Sequence, residues 1–442
     1  LTRSTFRILC LLVCSACFVS CESDDDNAQA GQQDAGMAGT DAEMASTDAE
    51  MTGMDDAAAS DDSGAATDAG PTPDATPAPT NPRQRALHSI ATNVYLATYT
   101  RFKTTAETLV SAVNEWSDDP TPETKEAAQA AWLNANQVWQ QAELMQVGPA
   151  GVEGRRIGGA DLRDKIYSYP ERNACRVDQV LVSQAYTADN WVDGAYFNLQ
   201  GLDALEYLLY NDTLENQCPA AVSLNRTGQW APLAADADEL WSRRTNLAKV
   251  LSDQLVVHAT TLVETWTEGS EFSQAFINGE APFGDVKTSL DQVFAGMFYV
   301  DKFIKDLKLG KPAGITPDCE ADVCPSALES KHARVSKENL LANLEGFRLL
   351  MHGGADDSAY GFDDLLEEEG AGELATTLIG KLQGANDALN SISGTLADAL
   401  ANTPESVRGA HAAVKALTDD LKTQFVTVLN LSVPQEGAGD ND

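Results

Sequence analysis

From residue 84 to about 432 the apolar residues of this chain recur at steps of three and four. No stretch shows the sustained two-residue alternation of a half-buried strand. The run "ALHSIATNVYLATYTRFKTTAETLVSAVNEW" is one such pattern, and "ETKEAAQAAWLNANQVWQQAELM" is the next. In the second, Trp132, Ala135, Val138, Trp139 and Ala142 fall on one face. Thr121 followed by Pro122 and Glu123 is a helix start, with Thr at the N-cap and Pro at the first helical position. Thr403, Pro404 and Glu405 repeat it for a last helix ending near Asn430. Further helices are expected over 232–266 and over 285–309, the latter stopped by Gly310 as a C-terminal glycine. Irregular stretches fall at 146–160, 212–230 and 310–330. The reading is an all-α fold. About 350 residues exceed one comfortable core, so two helical-bundle halves are expected, about 83–220 and 230–432, with a junction near 215–235.

What precedes the helices is different in kind. Arg3 and Arg7 introduce a short apolar run, too short for a comfortable membrane span and bounded by small residues and cysteine. Residues 1–20 read as a lipoprotein signal peptide. Phe18, Val19, Ser20 and Cys21 resemble a lipobox, with Cys21 the lipidated residue and Cys17 the weaker alternative; an ordinary cleaved signal is the rival. No aspartate follows Cys21 directly, which favours the outer membrane in the usual sorting logic. Residues 21–82 are rich in Ala, Asp, Gly, Thr, Pro and Ser, and cannot bury enough surface to offset ordering entropy. They read as a disordered acidic tether, and 433–442 as a disordered tail.

Fifteen of the chain's 67 acidic residues lie in that tether, with no Lys or Arg. The folded part still carries 52 acids against 28 bases, once Arg3 and Arg7 are set aside. A nucleic-acid partner is therefore not expected, because phosphate binding needs clustered Lys and Arg. Cations, basic partners or simple solubility fit better.

Cys175, Cys218, Cys319 and Cys324 belong to the globular part. Outside the cytosol an even number indicates disulfides. Three pairings are open. The short loop between Cys319 and Cys324 makes a local bridge natural, which leaves Cys175–Cys218. A four-cysteine zinc site is the rival, but paired CxxC units are missing.

The stretch "GLDALEYLLY", residues 201–210, places Asp203 and Glu206 three apart among Leu202, Leu205, Leu208 and Leu209. Such acids share one helix face. They hold a metal, polarise a substrate, or sit on a solvated or hydrogen-bonded face. Of the five histidines, His88, His258 and His411 read as packing or surface residues, and His352, before Gly353, as a helix-end residue. No HExxH, HxxE or GxSxG occurs.

The segments "AWLNANQVWQQAELMQVGPAG", "LRDKIYSYPERNACRVDQVLV", "GLDALEYLLY" and "ESKHARVSKENLLANLEGF" occur in an order that resembles the imelysin-like family. Its members are bacterial surface or periplasmic proteins, including a metalloprotease reported to cleave insulin and iron-regulated lipoproteins. The resemblance covers most of 84–432. It implies an all-α fold of two bundle-like halves with a site near their junction, an outer-membrane or periplasmic setting and an association with iron. The family motif Gly-x-His-x-x-Glu aligns with Gly201 to Glu206, and Asp203 stands where the histidine belongs. Oxygen donors alone suit Ca²⁺, Mg²⁺ or Fe³⁺ better than Zn²⁺. In the last segment Ala333 and Val335 replace an expected serine and asparagine, while Glu329, Ser330, Arg334 and Ser336 remain. The resemblance makes Gly201, Asp203, Glu206, Glu329, Ser330 and Arg334 the candidate ligand-binding residues, with Asp203 and Glu206 as metal donors for iron or another hard cation. Glu329 and Arg334 either form an ion pair or line a cleft; Ser336 reads as an N-cap for 337–351, and His332 is a further candidate. Arg163, Arg176 and Asp178 line a pocket or form ordinary salt bridges. The leading expectation is a lipid-anchored, non-enzymatic protein that binds a cation, metal chelate or partner and works beside iron-uptake proteins. A metallopeptidase, or a scaffold lipoprotein with a decayed site, is the alternative.

Overall fold

The structure, a computed structural model, describes residues 79–434 apart from Asp357. The expected signal segment, Cys21, most of the 21–82 tether and nearly all of the 433–442 tail lie outside the described residues. Every regular element among the described residues is helical, so the fold is all-α. None of these helices is long and apolar enough to cross a membrane.

The elements that position the site are α1 (Ala97–Asp118), α2 (Pro122–Ala142), α3 (Gly201–Tyr210), α4 (Ala237–Trp266), α5 (Val286–Met297), α6 (Val300–Gly310), α7 (Ser336–His352), α8 (Gly372–Asn390) and α9 (Pro404–Asp420). Helix α1 packs on α2 and α4, and α3 lies against α4 and α2. Helices α6, α7, α8 and α9 form a second group, and α2 packs on α7 between the groups. One hydrophobic core runs through both. Its largest buried side chains include Trp132, Trp139, Trp266, Tyr95 and Phe102.

The Thr121 start is realised as a capping box, in which the Thr121 hydroxyl accepts from the Thr124 N–H. The Thr403 start is realised in position, but the Thr403 hydroxyl makes no capping bond. The expected 232–266 helix breaks at Ala235 and Asp236, because Asp236 caps α4 by accepting from the Glu239 N–H. The expected 285–309 helix is two elements, and the second, α6, is wound as a wide π-type helix that takes in Gly310. The left-handed residue there is Gly314, with φ of 72°. Ser336 begins α7 rather than capping it; its hydroxyl accepts from the Ser330 N–H at 3.3 Å. His352 ends α7 as expected, and its Nδ1 lies 2.7 Å from Asp363.

Close approach of α2 and α7 depends on Gly346. A Cβ there would stand 2.2 Å from the Gln141 carbonyl oxygen, well inside van der Waals contact. Two disulfides, Cys175–Cys218 and Cys319–Cys324, close loops with sequence separations of 43 and 5. Cross-linking restricts the unfolded chain more when the loop is longer. Replacing both cysteines of the first bridge with alanine is expected to cost about 4 kcal/mol, and of the second about 2 kcal/mol. Urea unfolding at pH 7 measures both; an equal cost would contradict the loop-length account.

Candidate functional site

All residues of α3 from Gly201 to Leu209 are buried. A helix apolar on so many sides must lie inside the protein, so its two acids cannot face water. Asp203 is 5% exposed and Glu206 1%. Gly201 permits the chain to enter α3: its φ is 78°, and a Cβ would stand 2.4 Å from the Ile166 carbonyl oxygen. Glu206 Oε1 accepts hydrogen bonds from the backbone N–H groups of His332 and Ala333, each at 2.9 Å. Its Oε2 lies 4.0 Å from the Arg172 guanidinium. Asp203 Oδ2 accepts from the Ser168 hydroxyl at 3.1 Å, while its buried Oδ1 accepts from no group.

Glu329 is the third acid. Its Oε1 accepts from the Tyr167 hydroxyl at 2.8 Å and pairs with Lys308 Nζ at 2.7 Å. Both members of that pair are 1% exposed. Lys308 also donates to Gln140 Oε1 at 2.8 Å and Asn343 Oδ1 at 2.7 Å. Asn136 donates to Asn339 Oδ1 at 2.7 Å. At the end of α2, Glu143 accepts from Trp139 Nε1 at 2.5 Å and from Arg163 Nε at 2.8 Å. Arg172 donates to the carbonyl oxygens of Leu328 and Glu329. This array holds the loop after α6 against α2, α3 and α7. The Glu329 Oε2 atom, like Asp203 Oδ1, is buried and accepts from nothing.

Glu143, Asp203, Glu206 and Glu329 face Arg163, Arg172 and Lys308, and the Lys331 ammonium is near enough to Glu206 and Arg172 to feel both charges. Burial pushes the Asp203 carboxyl up to about 7; Arg172 opposes the rise and Glu206 adds to it. Glu206 is raised for the same first reason, with Arg172 and the two loop N–H groups opposing. Burial lowers Lys308, opposed by Glu329. A dry interior favours the neutral form of a carboxyl whose second oxygen has no donor.

Gly201, Asp203, Glu206, Glu329 and Ser330 are therefore gathered in one buried region. Arg334 is not among them. It has a left-handed backbone, an exposed side chain and a 2.6 Å ion pair with Asp398. The expected Glu329–Arg334 pair is thus replaced by Glu329–Lys308. His332 contributes its backbone N–H; its ring packs edge-on against Tyr207, and burial lowers its pKa to about 4. Asp178 is buried and accepts from the Tyr207 hydroxyl at 2.8 Å, which ties α3 to the Cys175–Cys218 region. Arg163 is the buried partner of Glu143, and Arg176 lies over the Tyr196 ring at the surface. Among the described residues, no group of three or more His, Cys, Asp or Glu is disposed to hold a metal ion.

Sequence reasoning missed Glu143, Arg172, Lys308 and the amides of Asn136, Gln140, Asn339 and Asn343. A signal existed on α2. Asn136, Gln140 and Glu143 follow steps of four and three on the face that carries Trp132 and Trp139. Polar residues on a buried stripe must be partnered.

The family model described as Imelysin, a peptidase family by name, matches residues 95–424. Among solved structures, one described as an iron-regulated protein A precursor from Parabacteroides distasonis is similar at 18% identity and a TM-score of 0.60, covering 79% of this chain and 94% of that one. An Imelysin-like protein from Psychrobacter arcticum is similar at 16% identity and a TM-score of 0.54, covering 80% and 96%. Both share the fold. No curated protein sequence matches the chain.

Ionisation of Asp203 opposes folding. With a folded pKa of about 7 against roughly 3.9 unfolded, that opposition grows as pH rises between those values and is complete above them. Asp203→Asn is expected to stabilise the protein at pH 8 by at least about 1 kcal/mol more than at pH 5. Urea unfolding of both proteins at the two pH values measures this; an equal shift would refute it.

Proposed function

The chain belongs to the Imelysin family, and on that premise we propose that it is a non-hydrolytic binding protein of the bacterial envelope that takes up a hard cation in iron handling. One observation carries the reading. Two buried carboxylates, Asp203 and Glu329, each keep an oxygen with no donor, although unsatisfied buried acceptors are costly. A proton or a hard cation relieves them; a bulky chelate finds no space at atoms this deeply buried. The residues fit oxygen coordination in part. Glu206 Oε1 is already held by two N–H groups, so Asp203 Oδ1 and Glu329 Oε2 are the better donors. A cavity of about 390 Å³, lined by Tyr169, Arg172, Lys311 and Asp318, lies beside the region.

The iron role draws support from the relative described as iron-regulated, and the envelope setting from the lipobox-like Cys21 and the acidic tether. In that setting Cys21 anchors the protein to the membrane, and iron-uptake proteins are its partners. The non-hydrolytic reading rests on Asp203, which stands at the family's histidine position. A hydrolytic zinc site uses His or Cys ligands and an open position for water.

Calorimetry with Ca²⁺, Zn²⁺ and Ga³⁺, a redox-inert stand-in for Fe³⁺, tests the proposal on the wild type, Glu329→Gln and Asp203→His. Expected is binding of Ca²⁺ or Ga³⁺ that weakens at least about tenfold in Glu329→Gln, with Zn²⁺ binding gained only in Asp203→His. No heat from Ca²⁺ or Ga³⁺ with folded wild-type protein would overturn it.

A further inference from the structure

Between Ser330 and Ser336 the chain passes over Glu206 as a strap of five residues, Lys331 to Val335. Glu329 and Ser330 are 1% exposed and Ser336 4%, whereas none of the five is buried. The two ends are therefore set in the core and the middle is not. Yet this middle is what covers the acid. The His332 and Ala333 N–H groups both donate to Glu206 Oε1, and the His332 ring lies edge-on to Tyr207 at 5.2 Å. The strap is fastened by polar contacts rather than by apolar burial, which is the character of segments that open locally at little cost.

The turn is closed on itself. The Arg334 N–H donates to the Ser330 carbonyl oxygen at 2.8 Å, so the turn moves as a unit. Arg334 has φ of 62°, a backbone state disfavoured for a residue with a Cβ. Its side chain holds it there from outside. The guanidinium donates to Asp398 Oδ1 at 2.6 Å and to the Thr395 hydroxyl at 3.2 Å. That anchor is stiff, because Thr395 and Asp398 form the capping box of the helix Leu396–Asn402. The adjoining loop is tied down as well, with Lys337 Nζ donating to the carbonyl oxygens of Ile392 and Gly394 at 3.1 and 2.9 Å. The Arg334 and Asp398 side chains are 52% and 50% exposed, so this outer fastening is open to solvent and sensitive to salt.

We propose that residues 331–335 are a hinged strap that closes the buried acids, and that the Arg334–Asp398 pair is its latch. Arg334 is thus a positioning residue, acting on the site through the strap without touching the acids. Releasing the latch lets the turn swing outward. That takes the His332 and Ala333 N–H groups from Glu206 and uncovers Asp203, one helical turn away. Lys331 rides on the strap, near enough to Glu206 to feel its charge, so opening also removes a positive group that an entering cation would meet. That a cation is what passes rests on the reading above; that the strap opens does not.

Hydrogen exchange and thiol labelling test the strap with no cation present. The His332 and Ala333 amides are expected to exchange at least about threefold faster in Arg334→Gln, and in the wild type when salt is raised from about 0.05 M to about 1 M. Amides within α1 stay unchanged, and Arg334→Gln itself no longer responds to salt. Asp203→Cys is expected to react with iodoacetamide at least about threefold faster when combined with Arg334→Gln, read at that thiol by peptide mass spectrometry. Ala106→Cys, at a buried position of α1, reports any general loosening and is expected to show no change. Unchanged exchange, acceleration shared by α1 and Ala106→Cys, or faster amides without faster labelling would each overturn the proposal. Failure of Ca²⁺ or Ga³⁺ to bind would overturn the cation reading alone.

Discussion

The buried ion pair between Lys308 and Glu329 is the interaction on which the site depends. At 2.7 Å, with both side chains almost wholly removed from water, it fastens the loop before α7 to α6. Desolvating two charges costs several kcal/mol each, and attraction offsets that only when the remaining hydrogen-bonding capacity is filled. Here it is filled on the lysine side by Gln140 and Asn343. That drives a polar seam into the contact of α2 with α7, where Gly346 lets the backbones come close. The same loop then presents the N–H groups of His332 and Ala333 to Glu206.

The seam and the acid cluster differ in how well they are satisfied. Lys308, Arg163 and Arg172 all have partners, whereas Asp203 and Glu329 each retain a bare oxygen.

Much of this was legible in the sequence. Period and capping gave the all-α class, the Thr121 start and the end at His352, because those signals are local. Cysteine count and the short Cys319–Cys324 loop favoured the observed disulfides while leaving three pairings open. Asp203 and Glu206 were singled out, but their burial was not readable, since an acid on a leucine-rich helix looks the same whether its face meets water or protein. Arg334 was misplaced because a left-handed residue at the loop turns its side chain outward, toward Asp398, which sequence adjacency to Glu329 conceals. The seam stayed hidden because Gln140, Lys308 and Asn343 are far apart in the chain and meet only through tertiary packing. The wide winding of α6 also has no signature in the residue pattern, which reads as an ordinary helix ending at Gly310.

Hydrogen exchange at the amides of His332 and Ala333, in the wild type and in Lys308→Met, tests the central dependence most directly. If the Lys308–Glu329 pair holds the loop that supports Glu206, these two amides lose far more protection than amides within α1. A loss no greater than that in α1 would contradict the account.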